Sequence, residues 1–80
     1  MRLDKYLKVS RIIKRRTVAN EVCDAKHVKV NDRSVKASYD VKVGDIIEIT
    51  FGANTTRYEV LRVSEHATKE QANEMFRQLK

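Results

Sequence analysis

Seven of the first sixteen residues are lysine or arginine: Arg2, Lys5, Lys8, Arg11, Lys14, Arg15 and Arg16. Asp4 is the one acid among them, so this segment carries +6, which is the net charge of the whole 80-residue chain. Residues 17–80 balance to zero. Cations gathered in one fifth of a chain form a surface for a polyanion. Guanidinium groups hold phosphate through paired N–H donors, and lysines add point charge. Position matters as much as number. Arg2 precedes one predicted helix, and Arg15 and Arg16 precede a second. A helix N-terminus already carries about half a positive charge, so a cation there costs roughly 0.3–1 kcal/mol. Bases at two helix starts make sense where an anion is held by free backbone N–H groups together with the guanidiniums, with Thr17 adding a hydroxyl donor.

Other chemistries find less support. Tyr6 is the one aromatic of the basic segment and falls on its apolar face, so it reads as core. The segment therefore lacks the stacked aromatics of single-strand binders and suits a folded RNA bound by shape and phosphate contacts. Composition alone does not separate RNA from DNA. An acidic membrane fits less well, because no large apolar face lies opposite the bases. Cys23 and His27 stand at i, i+4, as metal ligands on a helix could, but His66 is the only other histidine and there is no second cysteine. Cys23 reads instead as a small buried residue. A Cys–His nucleophile would lack an orienting third group. Asp4 reads as a charge partner that orients Arg or Lys rather than a general base. There is no glycine-rich phosphate loop. We expect no enzyme, no metal and no cofactor. A lone cysteine, no apolar span and no secretory-type start point to the cytoplasm.

These residues need elements to position them. Eighty residues form one domain, whose core is small. Leu3, Tyr6, Leu7 and Ser10 share one face of a predicted helix over 2–10, with Asp4 and Lys8 as an i, i+4 pair. A break is expected near Ser10–Ile13, with Ile12 or Ile13 turned inward. Val18, Ala19, Val22, Cys23 and Ala25 predict a second helix over 18–26, with Thr17 as its N-cap. The period then drops to two. Val28 and Val30 predict a strand, Asn31-Asp32 a turn, and Ser34-Val35-Lys36 a return strand. Ile47, Ile49 and Phe51 predict a half-buried strand, which residues 56–63 pair after a turn at Gly52-Ala53-Asn54. Thr68 with Gln71 has capping-box spacing, and Ala72, Met75, Phe76 and Leu79 follow at helical spacing. That stripe reads as core, with docking of a protein partner as the alternative. The class is α+β: two N-terminal helices with short strands, a small antiparallel sheet and a C-terminal helix. The division is a core at 1–51, a hairpin extension at 52–66 and the last helix at 67–80.

Arg2-Leu3-Asp4, Leu7, Arg11, Arg15-Arg16-Thr17, Ala19, Val28-Lys29-Val30-Asn31, Lys36, Val41 and Gly44-Asp45 together resemble the RNA-binding domain named after small-subunit ribosomal protein S-four. In that family two helices and the strands after them form the αL motif, which binds structured RNA. Residues 1–11 and 13–17 are most similar to its short bacterial stand-alone members of ribosome-associated quality control, the RqcP group. The fifteen-kilodalton ribosome-associated heat-shock protein is next. The resemblance implies a monomeric, non-catalytic clamp on the large ribosomal subunit obstructed by peptidyl-tRNA. It would touch large-subunit rRNA and the tRNA, and support the tailing factor RqcH as that adds C-terminal alanines to the stalled chain. It also implies Arg2 and Arg16 as main RNA contacts, with Lys5, Lys8, Arg11, Lys14, Arg15, Thr17 and Lys36 around them. The same fold serves general ribosome-binding or assembly proteins. RNA-modification enzymes carry it too, but with a catalytic domain for which 80 residues leave no room. Two departures affect turns. Lys26-His27 stands where the family has a glycine after the second helix, and Asn31-Asp32 where it often has Asn-Gly.

Overall fold

The computed structural model describes residues 1–79. Its elements are α1 (Leu3–Val9), α2 (Arg16–Asp24), β1 (Val28–Val30), β2 (Arg33–Ser34), β3 (Ile46–Phe51), β4 (Asn54–Val60), α3 (Lys69–Ala72) and β5 (Phe76–Leu79). The strands form one antiparallel sheet in the order β2-β1-β3-β4-β5. The class is α+β.

The helical period of Leu3, Tyr6 and Leu7 puts all three in the core, where they are fully buried. The first amides of α1 are satisfied by the chain that later runs past it. Leu3 N donates to the Tyr39 carbonyl (2.8 Å) and Asp4 N to that of Ala37 (3.2 Å). The helix ends at Ser10, whose hydroxyl turns back to the Leu7 carbonyl at 3.3 Å. Arg11 follows at φ 64°, and Ile13 N bonds the Leu7 carbonyl at 3.0 Å, which swings Ile13 into the core. The break expected at Ser10–Ile13 is therefore a left-handed C-terminal cap.

Helix α2 begins two residues earlier than the sequence reading placed it. Arg15 is the N-cap, extended at φ −117° and ψ 131°, and Thr17 is an exposed residue inside the first turn. Val18 is exposed, while Ala19, Val22 and Cys23 face inward. The helix closes through Lys26 at φ 64°, with His27 N on the Val22 carbonyl at 3.0 Å. The corner thus keeps its left-handed shape without glycine. An L-residue there costs roughly 1–2 kcal/mol, part of which glycine gives back in chain entropy. Lys26→Gly is expected to raise stability by about 1 kcal/mol and the thermal midpoint by roughly 4–8 °C. A thermal melt followed by circular dichroism checks this, and a lowered midpoint would contradict it.

Val28 and Val30 face Ile49 and Ile47 across β1 and β3, and these four close the core beneath the helices. Asn31 (φ 52°) and Asp32 (φ 67°) are both left-handed, the backbone of a type I′ two-residue hairpin, so Asp stands in for the usual glycine. Buried Asp45 braces this turn. It accepts from Asn31 Nδ2 (3.0 Å), the Tyr39 hydroxyl (3.0 Å) and Lys42 N (2.9 Å). The expected return strand is confined to Arg33–Ser34, so Lys36 lies in the loop after it.

The helix expected over 67–80 is corrected. Thr68 and Gln71 do form the capping box, but α3 is a single turn that ends at Ala72. Phe76–Leu79 is a strand paired with β4, Val60 opposite Phe76 and Tyr58 opposite Gln78. A bare β4 edge would leave a row of unpaired backbone groups, and β5 supplies their partners. Met75 is fully buried, its carbonyl accepts the Tyr6 hydroxyl at 2.7 Å, and Phe76 packs edge-on against Tyr58. Lys80, the end of the expected helix, lies outside the described residues.

Candidate nucleic-acid interface

The two helix starts meet at one carboxylate. Asp4 sits in the first turn of α1 with a side chain only 3% exposed. It accepts from Arg2 Nε (3.1 Å), a second Arg2 nitrogen (3.3 Å), Asn20 Nδ2 (3.2 Å) and Lys5 N (2.8 Å). Arg16 reaches the same carboxylate from α2 at 3.6 Å. Arg2 and Arg16 are each 50% exposed. Asp4 thus fixes both guanidiniums from below and leaves their outer edges to solvent. The expected Asp4–Lys8 pair gives way to this arrangement, because Asp4 turns toward α2 and away from its own helix surface. A cleft of about 400 Å³ opens here, lined by Asp4, Arg16, Thr17, Asn20 and Glu21.

This geometry also corrects the picture of free amides at both helix starts. The Leu3 and Asp4 amides of α1 are used by the backbone at 37 and 39, and that of Lys5 by Asp4. An anion at α1 would meet side chains only. No side chain caps α2, so the backbone contribution to anion binding is open at that helix.

Burial alone would raise the Asp4 carboxyl's pKa. Hydrogen bonds from Arg2, Asn20 and the Lys5 amide, with the Arg16 charge, outweigh burial and hold it below its ordinary value of 3.8. A carboxyl with a depressed folded-state pKa adds stability that is complete above its unfolded value and is lost as pH falls through the folded one. Wild type is therefore expected to exceed Asp4→Asn in thermal midpoint at neutral pH, with the gap closing as pH falls below 3.8. A gap that persists undiminished at pH 2 would contradict the hub.

The other sequence candidates divide into separate groups. Lys5 is paired with Glu65, which ties α1 to the segment before α3. Lys8, Arg11 and Lys14 are exposed along a different cleft. Arg15 is exposed at the start of α2. Lys36 lines a third depression with Lys26 and Asp24, at the far end of α2. Asn20 was missed by sequence reasoning. Its signal was the i, i+4 spacing from Arg16, which puts both on one face. Among the described residues no cluster of three or more potential metal ligands occurs, and no helix is long and apolar enough to cross a membrane.

Residues 1–47 match the S4 domain family. The chain is 54% identical over 76 residues to a protein of Streptococcus pneumoniae named RQC P-site tRNA stabilizing factor, covering 95% of this chain and 86% of that one. The Bacillus subtilis protein of the same name is 46% identical over 80 residues, covering 100% and 93%. The chain belongs to the S4 domain family of RQC P-site tRNA stabilizing factors. Among solved structures, the S4 domain chain is similar to the trimeric heat shock protein 15 of Vibrio cholerae. The TM-score is 0.89 at 25% identity, covering 99% of this chain and 81% of that one. The resemblance read from Arg2-Leu3-Asp4 through Gly44-Asp45 holds. The S4 match ends within β3, so β4, α3 and β5 lie outside it.

Proposed function

We propose that this protein is a non-catalytic, cytoplasmic RNA clamp that acts as a monomer on large ribosomal subunits obstructed by peptidyl-tRNA. It touches large-subunit rRNA and the tRNA and supports RqcH in adding C-terminal alanines to the stalled chain. The observation that carries this reading is the Asp4 hub. It presents Arg2 and Arg16, from two helices, as one half-exposed guanidinium pair. A carboxylate that fixes two guanidiniums lowers the entropy they lose on meeting phosphate. Relatives across 95% or more of the chain are named for stabilizing P-site tRNA in RQC. Arg2 and Arg16 are the main contacts; Thr17 lies beside them, and Lys5, Lys8, Arg11, Lys14, Arg15 and Lys36 add contacts from their separate places on the surface.

The test is a reconstituted tailing reaction with RqcH, alanyl-tRNA and obstructed large subunits. Adding the wild-type chain should lengthen the alanine tails, and the Arg2→Ala/Arg16→Ala chain should not. Equal tail length with and without the protein would sink the proposal. The S4 domain by itself admits one second reading, a general ribosome-binding, large-subunit assembly or recycling protein of the same fold. Such a protein would bind empty and obstructed subunits alike.

A further inference from the structure

A cleft of about 720 Å³ lies apart from the Asp4 hub. One wall is the end of α1 and the turn after it, with Lys8, Arg11 and Lys14. The other is the segment around α3, with His66, Lys69 and Asn73. No residue is shared with the cleft at Asp4. We infer that this cleft is a second RNA-binding subsite. It seats backbone phosphates of a structured RNA between Lys8, Arg11 and Lys14 on one side and Lys69 on the other. The inference rests on the RNA-clamp reading and deepens it.

Three observations carry it. First, none of Lys8, Arg11, Lys14 and Lys69 has an ion-pair partner among the described residues, and the one carboxylate at the rim, Glu65, is engaged by Lys5. Four cations around one concavity repel each other, and an anion lifts that cost. Second, Arg11 holds a left-handed backbone at φ 64°. Glycine would fill that position without the ~1–2 kcal/mol penalty, yet an arginine stands there and lines the cleft. Third, the lining also holds half-buried Val9 and Ala67 together with Asn73 and His66. Apolar groups mixed with hydrogen-bonding side chains suit a ribose, with its 2′-hydroxyl and phosphate, better than a bare anion. The second wall comes from residues 65–73, outside the matched S4 segment. The Lys5–Glu65 pair holds the two walls together.

The experiment titrates full-length protein into fluorescein-labelled deacylated tRNA, by anisotropy, over a range of salt concentrations. It compares wild type, Lys14→Ala/Lys69→Ala, Arg2→Ala/Arg16→Ala and the fourfold variant. Lys14 and Lys69 are exposed and make no ion pair among the described residues, so circular dichroism should show an intact fold. The cleft pair is expected to lose about tenfold in affinity and about 1.5–2 units of log–log salt slope. Its loss should multiply with that of the hub pair, as independent sites require. Lys14→Arg/Lys69→Arg should restore binding. Unchanged affinity in the cleft pair beside weakened binding in the hub pair would overturn the subsite and leave the clamp reading standing. Unchanged affinity in both would remove the clamp reading and the subsite together. A labelled decaglutamate peptide is the last arm. Peptide binding that is lost in the cleft pair, with tRNA affinity intact, would assign the cleft to an acidic protein segment and overturn the proposal.

Discussion

Alanine at both Arg2 and Arg16 is expected to weaken binding to obstructed large subunits roughly 100-fold while the chain stays folded. A hydrogen bond to a charged group is worth about 1.5–3 kcal/mol. Two lost at the lower bound come to ~3 kcal/mol, and each ~1.4 kcal/mol is tenfold. Stability should suffer less. Both arginines are half-exposed, so their pairs with Asp4 are screened and worth about 1 kcal/mol or less each. Asp4 keeps Asn20 and the Lys5 amide as donors. The control is Arg57→Ala/Arg62→Ala, which removes the same charge at β4 and just beyond it, where each arginine is 57% exposed. Filter binding at fixed salt separates the two. An equal loss in both double variants would mean that net charge, and not the hub, sets the affinity.

Ending the chain after Ala67 is expected to abolish cooperative unfolding. The cut removes β5, the hydrogen-bonded partner of β4, together with Met75, which is fully buried against the core. Truncating one such side chain costs about 2–5 kcal/mol, and a small domain has only ~5–15 kcal/mol in all. The Tyr6 hydroxyl would also lose its acceptor, the Met75 carbonyl. Met75→Ala isolates the side-chain part and should lower stability by about 2–5 kcal/mol in urea denaturation. A truncated chain that melts cooperatively within a few degrees of wild type would contradict the core assignment and reopen the docking alternative for this stripe.

What the sequence made legible is what local spacing encodes. Leu3, Tyr6 and Leu7 announced α1, the break before Ile13 followed from where Ile12 would otherwise point, and Val28/Val30 against Ile47/Ile49 marked the sheet. What it hid depends on contacts between distant segments. Ala72, Met75, Phe76 and Leu79 fit a helical period, but the deciding term is the open edge of β4, which no window around residue 75 contains. Arg15 caps α2 because the chain enters extended, and an arginine carries no side-chain signal for that role. The part of Asp4 as an orienting partner was readable, but its choice of Arg2 and Arg16 over Lys8 follows from burial under α2. The basic face was visible as a count. Its division into a hub and a separate cleft was not, because Lys69 and His66 meet Arg11 and Lys14 only after the whole sheet is built.

The most direct test of the central claim is co-sedimentation of the protein with purified large subunits, empty or carrying a trapped peptidyl-tRNA. Wild type and Arg2→Ala/Arg16→Ala would be run in parallel. The clamp reading predicts strong association with the obstructed subunit, little with the empty one, and loss of the association in the variant. Equal binding of wild type to both kinds of subunit, or full binding by the variant, would contradict it.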